Sequence, residues 1–322
     1  MKLAADGIDI DTIQQALAMA NGKKAARVDQ AQPTQKPEQK ARSFPLPPIR
    51  GVFTADSAYV KFGRFTLAPA HAVMTVEPGT VGMEFNHTET CGISLAGSAV
   101  MSGQTLSFTF TPSVKNEHLG YTLACLTGMD IHITGDYDLT ANIRSHGTGT
   151  NMLPALEGRV DFKARKGTIY QFPTLAKVLS VLSVLEIFRG RAPEIGGNGF
   201  PYNSMALRGD IHQGVFTIEK AYIGGKSLDI IAEGEVDLGK HKIDMVVLVA
   251  PFSSINWLIR HTPVVNTVMG GTLISIPTRV SGDLTNPDVA VLSPTAVGSR
   301  ILKMFTNIIK APVKLFSTEK NK

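Results

Sequence analysis

Residues Ser204–Pro251 read SMALRGDIHQGVFTIEKAYIGGKSLDIIAEGEVDLGKHKIDMVVLVAP, and this stretch decides the fold. Apolar and polar residues alternate along it, and the alternation is broken at His212-Gln213-Gly214, at Gly224-Gly225 and at Gly239-Lys240. Period-two alternation puts one set of side chains on a buried face and the other in water, so each segment reads as a half-buried strand. Breaks this short are tight turns, so successive strands run antiparallel as a meander.

The same cadence extends upstream. GVFTADSAYVKFGRFTLAPAHAVMTV from Gly51, TLSFTFTP from Thr105, DIHITGDYDLTANI from Asp130 and GRVDFKARKGTIY from Gly158 are strand-like, with glycine-centred breaks at Gly51, Gly63, Gly103, Gly135, Gly158 and Gly167. Downstream, a last pair of strands is expected over 272–292. The predicted fold class is mainly β with a few helices, a long antiparallel meander curled into a groove rather than a set of βαβ units.

Three stretches depart from strand spacing. PTLAKVLSVLSVLEIF from Pro173 places Leu175, Val178, Leu179, Leu182 and Leu185 at helical spacing, with Pro173 suited to a first turn. Its polar face is thin, so this helix, near 173–189, is expected either to lie buried on the sheet or to plug an apolar groove. Further short helical stretches fall at 253–269. The last element starts at Pro294: Val297, Ile301, Met304, Phe305, Ile308 and Phe316 share one face, Arg300, Lys303, Lys310 and Lys314 gather on the other, and Pro312 should kink it. A basic-only polar face beside an apolar one suits a membrane surface.

The predicted organisation is a short helical segment over 1–22, with Asp9 or Asp11 as cap, then a polar, proline-bearing flexible linker over 23–48. A β-rich domain follows over 49–292, and the basic amphipathic helix and tail over 293–322. With 322 residues and 43% hydrophobic composition the chain can bury a substantial core. The net charge of +5 is concentrated near the two ends, and without interleaved aromatics it does not suit nucleic acid. Met1–Ile10 has no apolar stretch of the kind a secretory signal needs, and no window approaches the roughly 20 apolar residues of a spanning helix.

Phosphate loops, a nucleophile elbow and paired metal ligands are all absent from the sequence, so neither an enzyme nor a cofactor is expected. The histidines are scattered, with His132 and His212 read as solvent-facing strand positions. Asp136 and Asp138 read as a solvated acidic face beside a turn. Cys91 and Cys125 permit one disulfide, yet a simple meander with Cys91 starting one strand and Cys125 ending the third would hold them at opposite edges, so a bridge and two buried thiols both remain open.

RGDIHQGVFTIEKAYIGGKSLDIIAEGEVDLGKHKIDMVVLV, the amphipathic insertion after it, and RVSGDLTNPDVAVLSPT with its Gly282-Asp283-Leu284-Thr285-Asn286-Pro287 turn resemble the C-terminal region of AsmA-like proteins, the group that includes AsmA, TamB and YhdP. ADGIDIDTIQQAL and GRVDFKARKGTIYQFPTLAKVLSVL also look like that family. The resemblance implies a twisted sheet curled into an apolar groove on the periplasmic side of the inner membrane, non-enzymatic, binding or conducting phospholipid between membranes and supporting outer-membrane biogenesis. Members usually begin with an inner-membrane anchor and a long β-domain that these residues lack, so the chain is read as a fragment or a truncated member. Membrane phospholipids are then the expected partners. The competing expectation is a structural or assembly factor that binds other envelope proteins through its strand edges.

Overall fold

The computed structural model describes residues 2–9, 12, 50–62, 65–128, 132–170, 177–178, 199–225, 228–251 and 276–293. The first strands are β1 (Lys2–Ala5), β2 (Ile8–Asp9), β3 (Gly51–Ser57), β4 (Val60–Phe62), β5 (Phe65–Leu67), β6 (Ala70–Glu77), β7 (Thr80–Thr90) and β8 (Ile93–Ser102). They are followed by β9 (Thr105–Phe110), β10 (Ser113–His118), helix α1 (Leu119–Thr127), β11 (Asp136–Gly147) and β12 (Glu157–Ile169). The deciding stretch folds as β13 (Phe200–His212), β14 (Val215–Gly225), β15 (Leu228–Asp237) and β16 (Lys242–Pro251), and β17 (Ile276–Asp283) and β18 (Pro287–Val291) close the order.

Fifteen of these strands form one sheet, from β1 and β3 at one end to β18 at the other. β9 and β10 act as a single long strand, since both pair with β8 on one side and β11 on the other. Thr111 and Pro112 interrupt it, but the Thr111 N–H donates to the Ala96 carbonyl at 2.8 Å and the Pro112 carbonyl accepts from Ala141 N–H at 2.9 Å, which carries the ladder across the proline. From β3 onward every neighbour in this sheet is therefore antiparallel, and the long meander is as expected.

Turn chemistry sets the register. Gln213 and Gly214, at φ of 50° and 75°, join His212 to Val215 in a two-residue turn with both central residues left-handed, the hand that matches strand twist. Cys91 and Gly92, at 54° and 76°, do the same between Thr90 and Ile93.

Ahead of the expected helix cap, Lys2–Ala5 forms a strand that adds in parallel to the free edge of β3, with Lys2 opposite Thr54. Asp9 works as a cap, its Oδ1 accepting the Thr12 N–H at 3.1 Å. Three expectations are corrected. The stretch holding Cys125 is α1, not the end of a strand. It stops where Gly128, at φ 68°, donates its N–H to the Ala124 carbonyl. Cys91 occupies a turn, not a strand start. Asp136 and Asp138 are paired rather than simply solvated, Asp136 with His118 at 2.9 Å and Asp138 with Arg165 at 2.7 Å.

The core gathers on the C-terminal half. Tyr137, Ala164, Ile230, Val247, Val249 and Val280 are buried in one cluster that also takes in Val178. Ala206, Tyr222, Ile231 and Leu248 are buried as well but stand outside that cluster, and the register puts them one residue over, on the opposite face. The sheet is thus covered on both faces here.

Candidate functional site: one apolar face of the sheet

Cross-strand partners lie on the same face of a sheet, so the register can be read as rows. One row runs through Ala55, Ala72, Phe85, Gly97, Phe110 and Ile143 of β3, β6, β7, β8, β9 and β11. It continues through Gly158, Ile211, Phe216, Val236 and Ile243 to Gly282 of β17. Twelve strands contribute no polar side chain to it. A parallel row through Phe53, Met74, Met83, Ala99 and Phe108 is apolar until it reaches Ser145.

One residue over, the character inverts. Asn142, Arg159, Asp210, Thr217, Glu235, Asp244, Ser281 and Asp288 form a polar row on the other face. Ion pairs lace that face: Arg159 reaches Asp210 at 3.0 Å and Glu219 at 2.8 Å, and Arg279 reaches Asp244 at 2.7 Å. Exposed pairs of this kind contribute little stability. Their consequence is polarity, which keeps this row of the face wet, while Ala206, Tyr222, Ile231 and Leu248 are buried elsewhere on the same face.

The apolar face differs between its two halves. Over β11–β17 it carries the core cluster, with Tyr137, Ala164, Ile230 and Val249 buried, while Ile143, Phe216 and Val236 of the row are themselves partly buried. Over β3–β9, Phe53, Met74, Met83, Phe85, Phe108 and Phe110 are only partly buried and Met101 is 43% exposed. Phe85 and Phe108 flank Phe110 at ring-centroid distances of 6.1 and 5.2 Å. Gly97 makes room for that cluster, since a Cβ there would collide with the Thr109 carbonyl and lie 2.8 Å from the Phe110 ring.

Where the halves meet, α1 is tied down. Cys91 and Cys125 form a disulfide across 34 residues. Beside it the buried Tyr137 hydroxyl donates to Thr122 Oγ1 at 2.9 Å, and Thr122 donates to the Cys91 carbonyl at 2.9 Å. Tyr202 donates to the Thr134 carbonyl at 2.6 Å, and burial pushes its pKa up to about 12. Tyr222 donates to Asp229 Oδ1 at 3.2 Å, and burial raises the Asp229 carboxyl to about 6.

Of the residues singled out from the sequence, Val178 is buried in the core cluster at 3% exposure. Its neighbour Lys177 donates to the Pro287 carbonyl at 3.0 Å and to Asn286 Oδ1, so this helical stretch touches the β17–β18 turn. Leu175, Leu179, Leu182 and Leu185 lie outside the described residues, as do the linker, the 253–269 helices and the terminal helix with Ile301, Phe305, Ile308 and its four basic residues. His132 and His212 are exposed, as read from their spacing. The sequence reading passed over the phenylalanines and methionines of β3–β9, although Phe108 and Phe110 at i and i+2 in TLSFTFTP carried the signal. Among the described residues no three His, Cys, Asp or Glu side chains converge as a metal site, and no helix is long and apolar enough to cross a membrane.

A family model described as YhdP protein matches residues 93–289, more than half of the chain. No curated protein and no solved structure matches it.

Proposed function

The chain belongs to the YhdP family, one of the AsmA-like group of envelope proteins, and on that premise we propose that it binds or conducts phospholipid along the apolar face of its sheet on the periplasmic side of the inner membrane. The observation that carries the reading is the uninterrupted apolar row from β3 to β17, partly uncovered over β3–β9. An acyl chain needs no directional contact, and each CH2 removed from water there gains about 0.8 kcal/mol. The disulfide supports a location outside the reducing cytoplasm. The stretch after Pro294, whose sequence spacing sets Arg300, Lys303, Lys310 and Lys314 apart from Ile301, Phe305 and Ile308, is assigned to the membrane surface, where each basic residue contributes about 1 kcal/mol toward anionic lipid.

The test is organic extraction of protein purified without detergent. Phospholipid in the extract is the expected result, and a variant with the four basic residues changed to Glu should keep that lipid while leaving the membrane fraction. Lipid-free extracts of wild type would overturn the reading. They would turn attention to the strand edges, where β18 has no outer neighbour among the described residues and Val291 is 46% exposed.

A further inference from the structure

The charged face of the sheet holds a cleft of about 330 Å³ where β8, β9, β11 and the start of β12 lie side by side. Its floor is one row of cross-strand partners, Ser98, Thr109, Arg144 and Glu157, flanked two residues on by Ser107 and His146. Val100, 41% exposed, supplies an apolar wall.

Arg144 is the exception among the arginines of β11–β18. Arg159, Arg165, Arg208 and Arg279 each hold a carboxylate. Arg144 makes no hydrogen bond or ion pair with any other part of the chain that is described, although Glu157 stands directly across the ladder from it. The carboxylate of Glu157 is engaged elsewhere: Oε1 accepts the Gln213 N–H at 3.0 Å and Oε2 meets His212 Nδ1 at 3.0 Å. Those contacts, the backbone N–H first, and last the charge of Arg144 acting through space, hold Glu157 below the usual carboxylate range. His146 Nδ1 meets Ser107 Oγ at 2.6 Å, which leaves its other ring nitrogen to face outward. A guanidinium, an imidazole and the hydroxyls of Ser98 and Thr109 are therefore gathered in one cleft, while its one carboxylate is turned to the neighbouring hairpin. That is a donor-rich site with its acceptors spent.

The geometry points to an oxyanion site at Arg144, taking a phosphate ester whose organic group lies against Val100. Guanidinium pairs with phosphate through two parallel N–H bonds, which makes Arg144 the anchor, with His146, Ser98 and Thr109 as flanking donors. Glu157 opposes the anion through space and keeps the affinity modest. This site is on the face opposite the apolar rows and does not depend on the lipid reading. The ester can be a free metabolite or the headgroup of a phospholipid.

Titration calorimetry of the full chain with glycerol phosphate separates the sources when run beside flotation with phosphatidylglycerol vesicles. Wild type should show saturable binding in at least one assay, Arg144→Gln should weaken it about tenfold or more, and Glu157→Gln should tighten it several-fold. Arginine-dependent binding of glycerol phosphate assigns a soluble ester, and arginine-dependent flotation alone assigns a headgroup. Absence of saturation up to roughly 10 mM together with flotation insensitive to Arg144→Gln overturns the site. So does equal affinity of wild type, Arg144→Gln and Glu157→Gln; because both variants change exposed or partly exposed groups, unaltered circular dichroism shows that each is folded.

Discussion

Asp229 is 6% exposed, and it accepts from the Tyr222 hydroxyl and from the backbone N–H of Gly225. Burial disfavours the carboxylate more than those bonds favour it, so its pKa rises from 3.8 to about 6. Between those two values the folded state binds more protons than the unfolded chain, so stability falls as pH rises through that window and the loss is complete above about 6. Asp229→Asn, which keeps an acceptor for Tyr222, should flatten this dependence and stabilise the protein at neutral pH by on the order of 1 kcal/mol. Urea denaturation at a series of pH values checks it; a wild-type stability that rises across the window would contradict the assignment. Nothing in KSLDIIAEG marks Asp229 as unusual, because its burial depends on segments distant in the chain.

At the scale of elements, α1 is a nine-residue helix inserted between β10 and β11, too short to persist by its own backbone hydrogen bonds. Its hold is tertiary: Leu119 in the core, the Thr122–Tyr137 and Thr122–Cys91 hydrogen bonds, and the disulfide. Closing a loop of 34 residues removes about 3 to 4 kcal/mol of denatured-chain entropy in the loop-closure account. Cys91→Ser with Cys125→Ser should therefore lower stability by roughly 2 to 4 kcal/mol and raise hydrogen exchange in α1 ahead of the sheet. Uniform loosening of sheet and helix together would show instead that α1 and the strands form one cooperative unit. The helix was hard to read because LGYTLACLT is an apolar run whose length suits either a strand or a short helix; Gly128 was the available stop signal.

For the whole molecule, the consequential property is the contrast between two faces one residue apart. Phe85 lies on the apolar face and Glu84 on the polar one, and they are consecutive in β7. If lipid occupies the apolar face, Phe85→Ser should reduce extractable phospholipid several-fold and cost about 1 to 2 kcal/mol of stability, while Glu84→Ser should leave both within about 0.5 kcal/mol of wild type. Equal lipid content in the two variants would place any bound lipid elsewhere. The β-rich class and the meander were legible because alternation and turn residues are local properties that appear in the sequence at fixed spacing. The wholly apolar row was not, because it is assembled from single residues contributed by a dozen strands.

By itself the sequence determined the half-buried strands, their tight left-handed turns such as Gln213-Gly214, and the apolar surplus that had to be covered. Those follow from backbone sterics and side-chain period, which act over a few residues. The tertiary structure alone decided the pairing of Cys91 with Cys125, the burial of Asp229 and the freedom of Arg144 beside an engaged Glu157. Each depends on which strands become neighbours, and register across a sheet is set by long-range packing rather than by the local chain.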